Sequence, residues 1–342
     1  MGNKFTPCLG CDEPNVRSLL GNRPVYCKLP FITPQGLETA AAFRTHTQDV
    51  IIVTYPKTGT TWLQQLCHQL RMIKRFPSGH MDFDEISEEG VVPWIEVGPS
   101  IGIDINAIQL GIPRFFKTHQ SLSQLSLLNA RFVCTLREPE AVLLSYFKFM
   151  VAKGLAGKKP DVNVFARCAQ WATPDFVTEK LTPFDGHLFG TDLWTFFREI
   201  WLCRDLPNVH VLVYDEMKKD LDAMLPDLAG FLGLEASIAN KDARSTILKM
   251  SSFQFMKDNE ERFDDHHMGP RIATIMKKKG GPASVPPSRT SSKVGLQVGK
   301  DVNTTINEET QALIQSMWEK NVTPITGHKS YNDLVADVLS KN

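Results

Sequence analysis

Residues 50–70 constrain the fold more than any other part of the chain, because a strand pattern and a helix pattern meet there across one short turn. The run Val50–Thr54 consists almost entirely of β-branched residues, which is typical of a buried strand. Apolar residues at positions 63, 66, 67 and 70 then share one face of a helix. The stretch therefore predicts a strand, a tight loop and a helix.

The loop between them has the composition of an anion-binding site. Free N–H groups at a helix N-terminus attract an anion, and Gly59 allows the backbone to approach it closely. Lys57 adds a positive charge, and the hydroxyls of Thr58, Thr60 and Thr61 add donors. This combination suits a phosphate or sulfate group, although many α/β proteins have a similar turn that binds nothing. It is not the usual P-loop, because G-x-x-x-x-G-K-[ST] is absent and the lysine precedes the glycine.

Charge and cysteine content exclude several classes of protein. Thirty-eight basic residues balance thirty-eight acidic ones, so nothing indicates a nucleic-acid partner, and an anion site must be a local cluster. The seven scattered cysteines favour free thiols in a reducing compartment, so we expect a cytoplasmic protein. We find neither an apolar run long enough to span a membrane nor a signal peptide pattern.

The N-terminal region differs from the rest of the chain. Five prolines within residues 1–45 predict an irregular segment, which leaves 46–342 as the main domain. Its start fits the pattern for myristoylation of Gly2, with Cys8 and Cys11 as acceptors for palmitate. Two acyl chains would attach the protein stably to a membrane. The competing hypothesis, favoured by Pro7, is an unmodified terminus with two free thiols.

The segment Pro113–His119 predicts a second strand that ends in Lys117 and His119. Ligands of open α/β sheets lie beyond the carboxyl ends of the strands. A histidine at this position could act as a general base, since its ordinary pKa is near ~6.5. Taken alone, such a histidine is more often part of a polar surface.

Residues 131–150 repeat the strand–loop–helix plan. Arg131–Leu136 predicts a strand, and Pro139 suits the first turn of a following helix. Between them, Arg137 offers a planar guanidinium that could bind a phosphate, and Ser145 lies eight residues further on. The structural alternative is an arginine that only caps the sheet. We also predict a further strand, 209–214, and a final helix, 308–320.

Several of these segments resemble those of the cytosolic sulfotransferases, which use 3′-phosphoadenylyl sulfate (PAPS). The string Tyr-Pro-Lys-Thr-Gly-Thr-Thr-Trp at 55–62 resembles their 5′-phosphosulfate loop. Phe-Phe-Lys-Thr-His at 115–119 resembles the segment that supplies a catalytic histidine and a nearby lysine. The spacing Arg-x7-Ser that begins at Arg137 resembles the motif for the 3′-phosphate. The resemblances run from residue 50 to residue 309 in family order.

The resemblance implies a single three-layer α/β domain, with a central parallel sheet flanked by helices and a P-loop-like phosphosulfate loop. It implies in-line transfer of a sulfuryl group from PAPS to a hydroxyl or amine of a small, largely apolar acceptor, with PAP as the product. His119 would be the general base and Lys57 would stabilise the leaving phosphate, with Lys117 and Ser145 beside them. No metal is required, because lysines and helix N-termini supply the positive charge.

The resemblance also implies which residues bind each ligand. The implied contacts to PAPS are Lys57, Thr58, Gly59, Thr60, Thr61, Trp62, Arg137, Ser145, Tyr214, Ser252, Phe253 and Lys293. The implied contacts to the acceptor are Pro93, Trp94, Lys117 and His119.

The C-terminal motif is the weakest match. Of the family triplet Arg-Lys-Gly, only Lys293 is kept in register, which predicts a looser grip on the 3′-phosphate. Residues 300–309 resemble the family's dimerisation segment, with Thr305 in place of valine, and could form a homodimer.

Two other functions remain open on sequence grounds. One is a different nucleotide-dependent transferase such as a kinase, against which the missing Walker motif and the lack of a clear Mg²⁺-binding aspartate argue. The other is a non-catalytic protein that binds PAP or PAPS and has lost turnover. The sequence does not identify the acceptor.

Overall fold

The computed structural model describes residues 14–126, 128–153, 156, 159–168, 189–264, 266–278 and 293–340. Gly2, Cys8 and Cys11 lie outside this part of the chain, so their acylation stays a prediction. The boundary between an N-terminal segment and a main domain at residue 46 also stays a prediction.

A parallel sheet forms the centre of the fold. Its strands are β1 (Val50–Val53), β2 (Phe115–Thr118), β3 (Arg131–Leu136) and β4 (Val209–Val213), in the order β2-β1-β3-β4. Every pairing is parallel, and Val53 at the end of β1 lies opposite Thr118 of β2 and Cys134 of β3. The carboxyl ends of three strands therefore meet at one edge of the sheet, as the sequence predicts.

The helices follow and separate the strands. They are α1 (Val16–Leu20), α2 (Pro34–Ala42), α3 (Thr60–Met72), α4 (Pro139–Ala152), α5 (Val162–Cys168), α6 (Leu193–Cys203), α7 (Tyr214–Lys219), α8 (Leu221–Leu232), α9 (Glu235–Ile238), α10 (Lys241–Met250), α11 (Phe253–Asp258), α12 (Met268–Lys278), α13 (Glu308–Asn321), α14 (Thr323–Thr326) and α15 (Tyr331–Ser340). Short 3-10 helices span Gly98–Ile101, Leu122–Leu125 and Glu260–Arg262.

Both faces of the sheet are covered. Ile51 and Val53 point into a core formed with α4, α6 and α13, whereas Val50 and Ile52 point into a core formed with α3, α8 and α10. Strands buried on both faces are apolar throughout rather than alternating, which explains the uninterrupted β-branched run of β1. The predicted three-layer α/β fold is confirmed.

The outer edge of β2 is covered by neighbouring chain. The N–H of Lys117 donates to the carbonyl of Pro93 (3.0 Å), and the N–H of Ile95 donates to the carbonyl of Lys117 (3.0 Å). The side-chain amide of Gln109 bonds to both backbone groups of Phe115, at 2.9 and 2.8 Å. An edge strand with free N–H and C=O groups would invite aggregation. Covering it also brings residues 93–96 beside the carboxyl end of β2.

Three expectations about secondary structure need correction. Residues 14–45 are not wholly irregular, because α1 and α2 form there. The prolines permit this, since Pro34 occupies the first turn of α2, where proline is tolerated. The strand β4 ends at Val213, and Tyr214 begins α7. Finally, α13 does not close the chain, because α14 and α15 follow it.

Candidate active site

The loop between β1 and α3 is built to bring the backbone close to a ligand. Gly59 is the N-cap of α3 with φ +105°, and no side chain among the described residues caps this helix. A Cβ at Gly59 would lie 2.7 Å from the ring of Tyr214 and would clash with it. Only glycine therefore fits, and the N–H groups of the first turn are left for an anion.

Lys57 has an unusual backbone conformation. Its φ is +73°, in the left-handed region that side chains other than glycine rarely adopt. The guanidinium of Arg137 donates to the carbonyl of Lys57 (2.6 Å) and holds the turn in place. The ammonium group lies 4.5 Å from the ring centroid of Phe149 on α4. Strained residues of this kind cluster at functional sites, where surrounding contacts maintain them.

The loop threonines differ from the expectation that each offers a hydroxyl to the anion. The hydroxyl and the N–H of Thr58 both donate to the carbonyl of Tyr55, at 2.8 and 3.2 Å, and the residue is 1% exposed. The hydroxyl of Thr60 lies 2.7 Å from that of Thr54. Thr58 therefore shapes the loop instead of presenting a donor. Thr61, in the first turn of α3, is only partly buried.

Arg137 begins the connection from β3 to α4 and has an unused donor. Its guanidinium stacks 4.1 Å from the ring centroid of Tyr214, and its Nε is buried without a hydrogen-bond partner among the described residues. A buried orphan donor on a charged group is costly unless a ligand satisfies it. Ser145 lies on α4 one turn before Phe149, so it shares the helix face that Lys57 contacts.

The predicted aromatic residues assemble in part. Trp62 and Tyr214 pack edge to face with ring centroids 5.6 Å apart, and Trp62 Nε1 donates to the carbonyl of Ser251 (2.7 Å). The hydroxyl of Ser252 accepts from the N–H of Phe255 (3.2 Å) and so serves as the N-cap of α11. The next residue, Phe253, is 61% exposed, and its ring lies against Gly295, two residues after Lys293 in the sequence. An exposed aromatic ring, two residues after the carbonyl that Trp62 contacts, offers a surface on which a planar base could stack.

His119 is held in one orientation and one tautomer. Its Nδ1 lies 2.8 Å from the carbonyl oxygen of Thr54, and a carbonyl can only accept, so Nδ1 carries the proton. The other nitrogen, Nε2, therefore carries the lone pair. The ring lies between Trp94 and Phe189, at centroid distances of 5.0 and 5.1 Å. A buried imidazole oriented in this way can accept a proton from a bound hydroxyl.

The electrostatic environment keeps His119 neutral. Burial, together with the positive charges of Lys117, Lys293 and Lys57, lowers the pKa of His119 to about 3. Lys117 is 3% exposed, and its ammonium lies 4.1 Å from the ring centroid of Trp94. The structure thus brings together three lysines from well-separated parts of the chain around one histidine.

Glu96 is a site residue that the sequence reasoning missed. It is fully buried, and its carboxylate accepts from the N–H of His119 (2.7 Å) and from the hydroxyl of Thr118 (2.8 Å). Burial raises the pKa of Glu96. The available signal was a single acid at the end of the apolar segment 91–96. Phe189 was also missed, and no pattern beyond an aromatic residue before Gly190 marks it.

The acceptor side of His119 is apolar. Trp94 and Phe189 belong to a cluster with Cys27, Val97, Ile101, Ile103 and Met268. Pro93, predicted to contact the acceptor, is buried, and its carbonyl bonds to the edge of β2. Trp94 and Phe189 are therefore the side chains that join His119 to this apolar wall.

Asp84, Glu88 and His267 place possible ligand atoms within 4.8 Å of one another. His267 already bonds to Asp84 (2.8 Å), and Arg262 lies 3.4 Å from the same carboxylate. Those contacts describe a surface ion-pair cluster.

Together these features define an α/β protein in which a glycine-capped loop, with free N–H groups at a helix N-terminus, lies beside a buried neutral histidine. Residues 47–278 match the family model described as a sulfotransferase domain, so the chain belongs to the sulfotransferase family. The chain is 30% identical over 244 residues to luciferin sulfotransferase of Photinus pyralis, covering 65% of this chain and 60% of that protein. It is 30% identical over 217 residues to sulfotransferase 2A6 of Rattus norvegicus, covering 62% and 68%.

A solved structure supports the fold independently. Mouse sulfotransferase SULT7A1, complexed with PAP, matches with a TM-score of 0.56 at 16% identity, over 91% of this chain and 95% of that one. At this identity the match concerns the fold. Within the part of the chain described, we find no helix with the length and apolar character needed to cross a bilayer.

Proposed function

We propose that the protein transfers the sulfuryl group of PAPS to a hydroxyl of a small, largely apolar acceptor and releases PAP. The observation that carries the proposal is the meeting of a helix N-terminus, Lys57, Lys117 and a neutral His119 at the carboxyl ends of β1 and β2. Family membership supports sulfuryl transfer. The PAP bound in the mouse sulfotransferase supports this choice of donor.

The donor would lie across the carboxyl edge of the sheet. Backbone N–H groups at the start of α3, with Lys57, would hold the 5′-phosphosulfate. Arg137 would hold the 3′-phosphate through its unused Nε, joined by Ser145 and Lys293. The aromatic rings of Trp62, Tyr214 and Phe253 would flank the adenine.

The chain's own residues would perform an in-line displacement. As the acceptor oxygen attacks sulfur, Nε2 of His119 takes the hydroxyl proton. The bond between sulfur and the bridging phosphate oxygen breaks, and that oxygen keeps the electron pair. Lys57 would stabilise the charge that develops there, and Lys117 the charge on the sulfuryl oxygens. Orientation and fixed charge supply most of the rate in such transfers.

The site favours hydroxyl acceptors over amines. Three lysines lower the pKa of His119, and the same field would repel a protonated amine. It would also favour a hydroxyl that develops negative charge. The apolar cluster beside Trp94 and Phe189 would take the acceptor's carbon skeleton.

The remaining properties follow from the family and from the sequence motifs. We place the protein in the cytoplasm, with acylation at Gly2, Cys8 and Cys11 as a proposed means of membrane attachment. A homodimer through 300–309 is also proposed. Within one chain the backbone of this segment is held in place, because the Asn163 side chain donates to the carbonyl of Thr305 (2.9 Å). The side chain of Thr305 is exposed and could contact a partner.

The test is turnover of radiolabelled PAPS over a panel of phenols, alcohols and amines. Wild type should sulfate some hydroxyl acceptors, whereas His119→Ala and Lys57→Ala should lose activity at least ~100-fold. His119→Ala should still bind PAP in calorimetry. The matched control variant His46→Ala replaces an exposed histidine and should leave turnover unchanged.

The other outcomes separate the alternatives. Tight binding of PAP without sulfation of any acceptor would favour a non-catalytic binding protein. Failure to bind PAP or PAPS would overturn the proposed donor.

A further inference from the structure

The loop before β2 reverses the usual arrangement of polar and apolar side chains. Ile108 is 94% exposed, Ile112 is 74% exposed and Leu110 is 43% exposed. Between them, the polar Gln109 is only 8% exposed. Single exposed aliphatic residues are ordinary, whereas three within five residues of one loop form a candidate interaction surface.

Hydrogen bonds hold the loop in this reversed orientation. The Gln109 carbonyl oxygen accepts from the guanidinium of Arg71 (2.6 Å) and from the N–H of Phe115 (2.9 Å). Its amide donates to the carbonyl of Phe115 (2.8 Å). Arg71 is itself buried and also donates to the carbonyl of Pro113 (3.2 Å). Turning Gln109 outward would remove one acceptor of the buried Arg71 guanidinium and both side-chain bonds to the backbone of Phe115, so the aliphatic side chains stay outside.

The loop lies at the amino edge of the sheet, opposite the candidate active site. Gly111 lies against the last turn of α3, since a Cβ there would be 3.0 Å from the sulfur of Met72. Lys74 and Arg75, immediately after α3, are exposed. Exposed basic charge therefore follows the end of the helix that Gly111 contacts.

The opposite flank of the loop carries acidic groups. The Glu89 carboxylate accepts from the N–H of Asp104 (3.1 Å) near the Ile108 end. Arg114, two residues after Ile112, is paired with Asp49 through its Nε (2.9 Å), so the positive charge of Arg114 is already balanced. Acidic side chains therefore lie near Ile108, whereas exposed basic residues follow the helix that Gly111 contacts.

The size of the patch indicates what it binds. Three aliphatic side chains cover at most a few hundred Å², whereas a stable protein interface needs ~800 Å² from each partner. A second copy of the chain would find too little surface here. A bilayer needs no matching groove, and aliphatic side chains enter its interface while lysine and arginine attract anionic head groups.

We propose that Ile108, Leu110 and Ile112 dock this protein onto an anionic phospholipid membrane. The exposed Lys74 and Arg75, which follow α3, supply the electrostatic attraction. The carboxyl edge of the sheet, with His119, then faces away from the bilayer. The loop acts separately from acylation at Gly2, and two weak membrane signals together anchor a protein better than one.

The test is co-sedimentation with vesicles of phosphatidylcholine, alone or mixed with phosphatidylserine, using the full chain with Gly2→Ala to prevent acylation. The protein should sediment with the mixed vesicles. The variant Ile108→Ser/Ile112→Ser should lose partitioning about tenfold or more. The variant Lys74→Gln/Arg75→Gln should lose binding to the mixed vesicles and not to the neutral ones.

Two controls distinguish a loss of membrane binding from a loss of folding. Leu19→Ser/Ile325→Ser removes aliphatic residues of 42% and 50% exposure elsewhere and should partition like the parent protein. Turnover of a soluble acceptor, or PAP binding if no acceptor is found, should be the same in all variants.

Three outcomes would overturn the proposal. One is a parent protein that stays in the supernatant with both kinds of vesicle. Another is a variant Ile108→Ser/Ile112→Ser that partitions like the parent. The third is a change of oligomeric state in this variant without vesicles, which would assign the patch to a second copy of the chain.

Discussion

Nδ1 of His119 lies 2.8 Å from the carbonyl oxygen of Thr54, so the residue that follows β2 is oriented by the residue that follows β1. The contact follows from sheet register. Val53 pairs with Thr118 across the two strands, and the next residues along each strand therefore meet. The N–H of Thr54 in turn donates to the carbonyl of Thr118 (3.3 Å). The orientation of the proposed base is thus a property of the parallel sheet.

The pH profile of kcat/KM reports on the free enzyme, and we expect its decline on the acid side to occur at unusually low pH. Because the pKa of His119 is lowered to about 3, the imidazole stays unprotonated as the pH falls below 6, and kcat/KM should change little from pH 8 to about 5. Bound PAPS is an anion and should raise the pKa of His119, so the acid limb of kcat should lie at higher pH. If both kcat/KM and kcat declined with an apparent pKa near ~6.5, that result would contradict the electrostatic environment described for His119.

Lys57→Gly and Lys57→Ala should separate charge from backbone strain. Both variants lose the ammonium and should lose at least ~100-fold in kcat. Glycine adopts the φ of +73° freely, whereas alanine keeps a strain of ~1 kcal/mol. In urea unfolding, Lys57→Gly should therefore be at least as stable as Lys57→Ala. A less stable glycine variant would show that the turn is not strained.

Glu96→Ala should affect both stability and turnover. The change leaves the N–H of His119 and the hydroxyl of Thr118 without their acceptor, at a cost of ~2–4 kcal/mol. Glu96→Gln keeps one oxygen acceptor and should lose less. The measurements are urea unfolding, kcat and PAP affinity, the last of which should stay unchanged. Equal stability of the two variants would contradict the role assigned to this carboxylate.

A buried histidine pair should make the protein sensitive to acid. Arg71 must donate to Nδ1 of His68 (3.0 Å), so Nε2 of His68 donates to Nδ1 of His80 (2.9 Å). Burial lowers the pKa of both histidines, and the charge of Arg71 lowers it further. In the unfolded chain both titrate near ~6.5 and bind more protons below that pH. The free energy of unfolding should stay level above pH 6.5 and decline as the pH falls below it.

The variant His80→Asn tests this dependence, because its side-chain oxygen can accept from His68 but does not titrate. Urea midpoints measured from pH 8 down to 5 should change less in this variant than in the wild type. His46→Asn, at an exposed site, should follow the wild type. Parallel curves for all three proteins would show that His80 does not contribute.

Much of the candidate site could be predicted because its signals are local. Lys57, Gly59 and Trp62 lie in one contiguous segment, and Lys117 and His119 end a strand at the edge where ligands bind. Their roles await the experiments above. Glu96 and Phe189 could not be found in this way, because their contacts to His119 join segments 23 and 70 residues apart. Thr58 was expected to offer its hydroxyl to an anion, and the fold turns that hydroxyl inward to Tyr55.

The sequence alone determined the strand–loop–helix unit, the parallel α/β class and the residue types at the strand ends. These depend on periodicity and turn chemistry, which act between residues close in the chain. Only the tertiary structure decided the tautomer of His119, the burial of Glu96 and the outward orientation of Ile108 and Ile112. Those features depend on hydrogen bonds between segments far apart in sequence, and on which groups burial removes from water. Local propensity carries no information about either.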